Sequence, residues 1–128
     1  HRAVRKFLQG RDAQRGDVQM RELSAELCDA AANGDVEGVR HIVRRQRADV
    51  NAGDYDRRTA IHLAASEGLL DVVELLVDEL KADVNPQDRW GHTPLDDAVR
   101  SGHEHVMAFL EERGAEKGAV LGHMKFAA

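Results

Sequence analysis

The stretch "ADVNAGDYDRRTAIHLAASEG", residues 48–68, returns as "ADVNPQDRWGHTPLDDAVRSG" at 82–102, a constant offset of 34. Asp49, Val50, Asn51, Asp54, Thr59, Ala64 and Gly68 fall on Asp83, Val84, Asn85, Asp88, Thr93, Ala98 and Gly102. The same step carries Gly68 back to Gly34 in "LCDAAANGDVEGVRHIV", so the chain holds three copies, the first without its leading turn. Each unit passes from a turn-rich stretch through a short Ala-rich run to a glycine. It then enters a longer run with apolar residues at helical spacing, as in "LLDVVELLV". The order is turn, short helix, tight loop, longer helix.

The motif residues have physical reasons to stand where they do. Thr59 and Thr93 are placed to cap a helix, and Pro94 fits the first helical position, where its missing N–H is not needed. Gly34, Gly68 and Gly102 close the short helices, where positive φ is expected. Ala64, Ala65 and Ala98 allow close helix approach. Val39, Ile42, Val43, Val73, Leu76, Val77, Val106, Met107 and Leu110 are the expected core between repeats, since no single unit can bury such a face alone.

A period of 34 suits two helical repeat types, and the motifs choose between them. "TAIHLAA" and "TPLDDAV" match the T-P-L-H-x-A pattern, so residues 23–116 resemble the ankyrin repeat family. The resemblance implies an all-α repeat solenoid of about three helix-turn-helix units with short β-hairpin fingers. Its units are expected at about 23–48, 49–82 and 83–116, between a basic segment or linker (1–22) and a tail (117–128). The chain departs from the family where "RQRAD" and "ELKAD" replace the usual G-A-D with one added residue, which predicts slightly longer second helices in the first two units. Arg57 stands where Gly91 sits one unit later, a position that favours glycine, and so predicts a strained or altered first finger. Asp96 replaces the histidine that His62 keeps.

Composition narrows the function. Net charge is -5 over 128 residues, which argues against nucleic acid as a partner, because phosphate binding needs a basic face. Within residues 1–20, five cations face two carboxylates, +3 in all, leaving -8 for the remainder (-5 less +3). The lone Cys28 forms no internal disulfide and sits in a helical pattern as a small core group, which places the chain by default in a reducing, intracellular and specifically cytoplasmic setting. No apolar run approaches the ~18 to 20 residues that span a bilayer, so membrane insertion is not expected. The first residue is His1, which suggests a piece of a longer chain.

Chemistry-bearing patterns are sparse. "GHEH" puts His103 and His105 two apart, on different sides of a helix, a poor metal pair better suited to capping and exposure. Asp96 and Asp97 open a helix and favour its dipole rather than forming an acid/base pair. The sequence carries no P-loop, G-x-G-x-x-G, G-x-S-x-G, H-E-x-x-H or kinase motif. No enzyme activity, cofactor or metal is expected. "HRAVRKFLQGR" (1–11) admits a short basic amphipathic helix, or a linker; "VLGHMKFAA" (120–128) admits a cap on the last repeat, or an arm to a neighbour.

The one Trp of the chain, Trp90, lies in "DRWGHT", a turn rather than a core. If the resemblance holds, "NAGDYDRRT" and "NPQDRWGHT" are adjacent fingers presenting Tyr55, Arg57, Arg58, Arg89, Trp90 and His92, residue types enriched at binding hot spots. Trp90 either contacts a partner or folds back on Tyr55 or an Arg stem. The expected function is a non-catalytic module binding a partner protein through its concave face and fingers. The later repeats are also similar to the ankyrin segments of kidney-type glutaminases and of plant Raf-like and integrin-linked kinases. That similarity makes a regulatory or assembly appendage of a larger enzyme the alternative, with a structural subunit of a large assembly as a third.

Overall fold

The computed structural model describes residues 12–118, with side chains from Arg21 onward. The segments 1–11 and 120–128, discussed above as a basic helix and an apolar tail, lie outside the described residues. Three helix pairs follow one another: α1 (Asp12–Ala32) with α2 (Val36–Arg44), α3 (Ala60–Glu67) with α4 (Leu70–Glu74), and α5 (Pro94–Ser101) with α6 (Glu104–Glu112). α4 runs on into a π turn, Leu75–Glu79. α1 crosses the expected 22/23 boundary and is helical through 15–24, the residues that correspond by the 34-residue step to the loops 49–58 and 83–92.

Local chemistry starts and stops these helices. Thr93 Oγ1 accepts the Asp96 N–H at 3.3 Å while Asp96 Oδ2 accepts the Thr93 N–H at 2.9 Å, a reciprocal cap with Pro94 at the first helical position. At α3 the partner is a histidine: the Thr59 N–H donates to His62 Nδ1 at 3.0 Å. Gly34, Gly68 and Gly102 adopt φ of 76°, 74° and 74°, the left-handed stop expected of them.

The first helices α1, α3 and α5 pack side by side, and α2, α4 and α6 form a second layer behind them. Ala60, Ala64, Ala65 and Ala98 are fully buried where the first helices meet, so their small side chains set the close approach. Between the layers lie Leu27, Ile61, Val39, Val72, Val73, Leu76, Leu95, Val106, Phe109 and Leu110, with Val43, Val77 and Met107 packed at the edge. Burying each Leu or Ile of this set contributes about 2 kcal/mol.

The added residue of the first two units is absorbed by widening rather than lengthening the second helix. Gln46 N–H reaches His41 O and, one period on, Leu80 N–H reaches Leu75 O, each spanning five residues instead of four. Ala48 and Ala82 then bond back to Ile42 O and Leu76 O, six residues away, whereas Ala115 closes on Leu110 O at five. This geometry forces Arg47 and Lys81 to φ of 61° and 60° where the uninserted third unit has Gly114 at 85°. On the second layer Arg40 pairs with Glu79 (2.7 Å) and Arg113 with Asp78 (2.9 Å), linking successive units through solvent-exposed ion pairs.

Candidate functional site

The loops 49–58 and 83–92 share one construction. Asp54 N–H donates to Arg58 O at 3.0 Å and Asp88 N–H to His92 O at 3.0 Å, and each turn is closed by a second bond, Arg57 N–H to Asp54 O and Gly91 N–H to Asp88 O. The aspartate at each base holds its own turn: Asp54 Oδ1 accepts from the Asp56 and Arg58 N–H groups, and Asp88 Oδ1 from those of Trp90 and His92, all within 2.8–3.0 Å. Among the described residues no strand forms, because so few bonds flank each turn before the chain enters the helix cap. Arg57 takes φ 61° where Gly91 takes 86°, so the first turn keeps its shape against the preference of an L side chain.

Successive loops are joined. Arg89 N–H donates to Asp56 O at 2.8 Å, and Asn51 Oδ1 accepts the Asp83 N–H at 2.8 Å, as Asn85 Oδ1 does the Glu116 N–H one unit later. His62, fully buried, donates from Nε2 to His92 O at 2.8 Å. Its Nδ1 is the acceptor for Thr59, so the neutral ring fits both neighbours, and burial holds its pKa below 6.5. His103 likewise ties its unit back to Ser66 O, at 3.0 Å.

Beneath the loops lies a buried charge cluster that the sequence reading did not foresee. Arg58 reaches across the repeat boundary to Asp88 and Asp97, each at 3.1 Å, and Arg100 adds a bond to Asp97 at 2.7 Å. Both aspartate side chains are sealed from solvent while Arg58 is 18% exposed. Burial pushes Asp97 up, against Arg58, His62 and Arg100. Burial also opposes ionisation of Asp88, but the His92 and Trp90 N–H donors outweigh it and hold that carboxyl below its usual value. One signal was available: Asp97 stands where the previous unit has the apolar Leu63. Cys28 sits under the same loop, its thiol toward Arg58 O at 3.8 Å and pushed up to about 11 by burial and by Asp54 and Asp29, which leaves it unreactive.

The six residues singled out on the loops therefore divide. Tyr55 is 91% exposed and Trp90 51%, with Arg57 and Arg89 exposed beside them. Tyr55 and Trp90 do not cover one another, and the Arg89 guanidinium rests on Tyr55 O (3.5 Å) and Asp56 (3.6 Å). Arg58 and His92 are half-buried and engaged with the charge cluster and with His62, so their polar groups serve the joint between repeats.

Paired helices in register, joined loop to loop, define a helical repeat protein. The chain matches the family model "Ankyrin repeats (3 copies)" over residues 27–120 and belongs to that family. It is 45% identical over 97 residues to serine/threonine-protein kinase 12 of Arabidopsis thaliana, covering 76% of this chain and 21% of that protein. It is 40% identical over 101 residues to putative glutaminase 2 of Caenorhabditis elegans, with coverage of 79% and 16%. A third relative, potassium channel KOR1 of Oryza sativa subsp. japonica, is 42% identical over 94 residues, with coverage of 73% and 11%. The chain thus spans about a fifth or less of the length of these relatives. No described helix is long and apolar enough to cross a membrane.

Proposed function

We propose that this chain is a non-catalytic protein-binding module whose loops act as fingers on a short solenoid, with Tyr55, Arg57, Arg89 and Trp90 as the contact residues. The observation that carries the proposal is the pair of aromatic side chains held outward, 91% and 51% exposed, on loops whose base aspartates hydrogen-bond their own turns. An exposed ring on a preorganised turn binds without a large ordering cost, and such residues contribute about 2 kcal/mol or more to hot spots. Arg58 and His92 belong to the surface as its supports, fixing the angle between fingers. The partner is an intracellular protein.

The low coverage of relatives named as a kinase and a glutaminase favours a second reading, in which the module is a regulatory or assembly appendage of a larger enzyme. An open reading frame encoding a catalytic domain in continuity with residue 1 or 128 supports it, and a stand-alone frame removes it. The finger proposal is tested with the combined Arg89→Ala and Trp90→Ala variant. Affinity for a partner bound by the intact chain should fall tenfold or more at unchanged helical circular dichroism. Full affinity in that variant overturns the proposal.

A further inference from the structure

The first loop hands two acceptors to the second. Asn51 Oδ1 takes the Asp83 N–H and Asp56 O takes the Arg89 N–H, both at 2.8 Å. Thirty-four residues earlier the corresponding donors are the N–H groups of Asp49 and Tyr55, and neither has a hydrogen-bond partner among the described residues. No loop stands upstream to serve them, because α1 is helical through 15–24. Between α1 and the first loop an open cleft of about 740 Å³ remains, lined by Arg21, Glu22 and Ala25 on the helix and Asp49, Asp54 and Tyr55 on the loop. Among the described residues its charged lining is three carboxylates against one guanidinium, a net of -2 (-3 plus +1).

We propose that this cleft receives a basic, extended loop of a partner protein, seated where an upstream finger would stand. The partner loop gives one backbone carbonyl to Tyr55 N–H and a second oxygen, from a carbonyl or a carboxamide, to Asp49 N–H, while its Lys or Arg side chains face Glu22, Asp49 and Asp54. A helical partner does not satisfy this edge, since its backbone groups are spent internally; an extended segment does, as in strand addition to an open sheet edge. An acidic segment meets repulsion. The inference rests on the binding-module reading only in taking the partner to be a protein, and it uses the opposite side of the first loop from Arg89 and Trp90.

The test is a titration of the isotopically labelled full chain with the synthetic peptide Lys-Asn-Gly-Lys-Asn-Gly-Lys, followed by amide chemical shifts, with a control in which Glu replaces every Lys. The Asp49 and Tyr55 amides should move with a Kd of ~1 mM or tighter for the basic peptide alone. Ala25→Trp, which fills the cleft, should weaken binding tenfold or more. Glu22→Lys, a change at an exposed site that leaves the fold intact, should weaken it several-fold, and Trp90→Ala should leave it unchanged. The proposal is overturned if those two amides stay still, if the Glu peptide binds equally, if Glu22→Lys has no effect, or if Trp90→Ala abolishes binding. A failure here leaves the outcome of the combined Arg89 and Trp90 variant untouched, so the two readings fail separately.

Discussion

Arg58 is the side chain on which the geometry of both loops turns. It bonds two aspartates that are sealed from solvent, across a repeat boundary. Removing one partner of a buried ion pair leaves an uncompensated charge, so Arg58→Met should lower stability by about 3 kcal/mol in denaturant unfolding. Adding Asp97→Leu, which copies the Leu63 position, should restore much of that loss; strict additivity of the two changes in a double-mutant cycle contradicts the assignment. His62 gives a pH dependence. Its folded pKa lies below 6.5, so the unfolded chain binds the proton first, and the stability His62 contributes is full above pH 6.5 and drains as pH falls toward the lowered folded value. Asp97, raised by burial, works in the opposite sense as it protonates, and the lowered Asp88 adds its own loss below its ordinary 3.8. His62→Gln, which can keep both hydrogen bonds without titrating, should flatten the fall in stability just below pH 6.5. An unchanged slope places the sensitive group elsewhere.

At the scale of the element, the 34-residue period comes from a wide turn at the end of the second helix. Lys81 sits at φ 60° where the third unit has a glycine, and an L side chain there costs about 1 kcal/mol. Lys81→Gly should therefore raise Tm by several degrees, read by thermal circular dichroism; a fall in Tm shows that the lysine stem contributes more than the backbone loses. The helices, their caps and their left-handed stops were legible in the sequence because Thr, Pro and Gly act locally and recur at a fixed step. The π turn was not, since a bond spanning five residues uses the same residue types as one spanning four. The aromatic tips were legible too, as bulky residues among turn formers. The joint formed by Arg58 and Asp97 was hidden because its members lie 39 residues apart and an aspartate at a helix start already has a dipole to explain it. The helical α1 in place of a first finger likewise reads in sequence only as a missing turn.

Among the described residues the helix pairs pack chiefly on their neighbours, so stability is carried by the two inter-repeat faces and their joined loops. The second-layer ion pairs of Arg40 and Arg113 are exposed and contribute little by themselves; burial of the aliphatic faces and the Arg58 cluster hold the units in register. The stacked helix pairs leave Tyr55 and Trp90 outward. Hydrogen exchange of the full chain, free and with a bound partner protein, tests the finger proposal most directly. Exchange should slow on binding in the loops 53–58 and 87–92, with the second-layer helices α2, α4 and α6 unchanged. Protection confined to those second-layer helices, with both loops exchanging as in the free chain, contradicts that proposal.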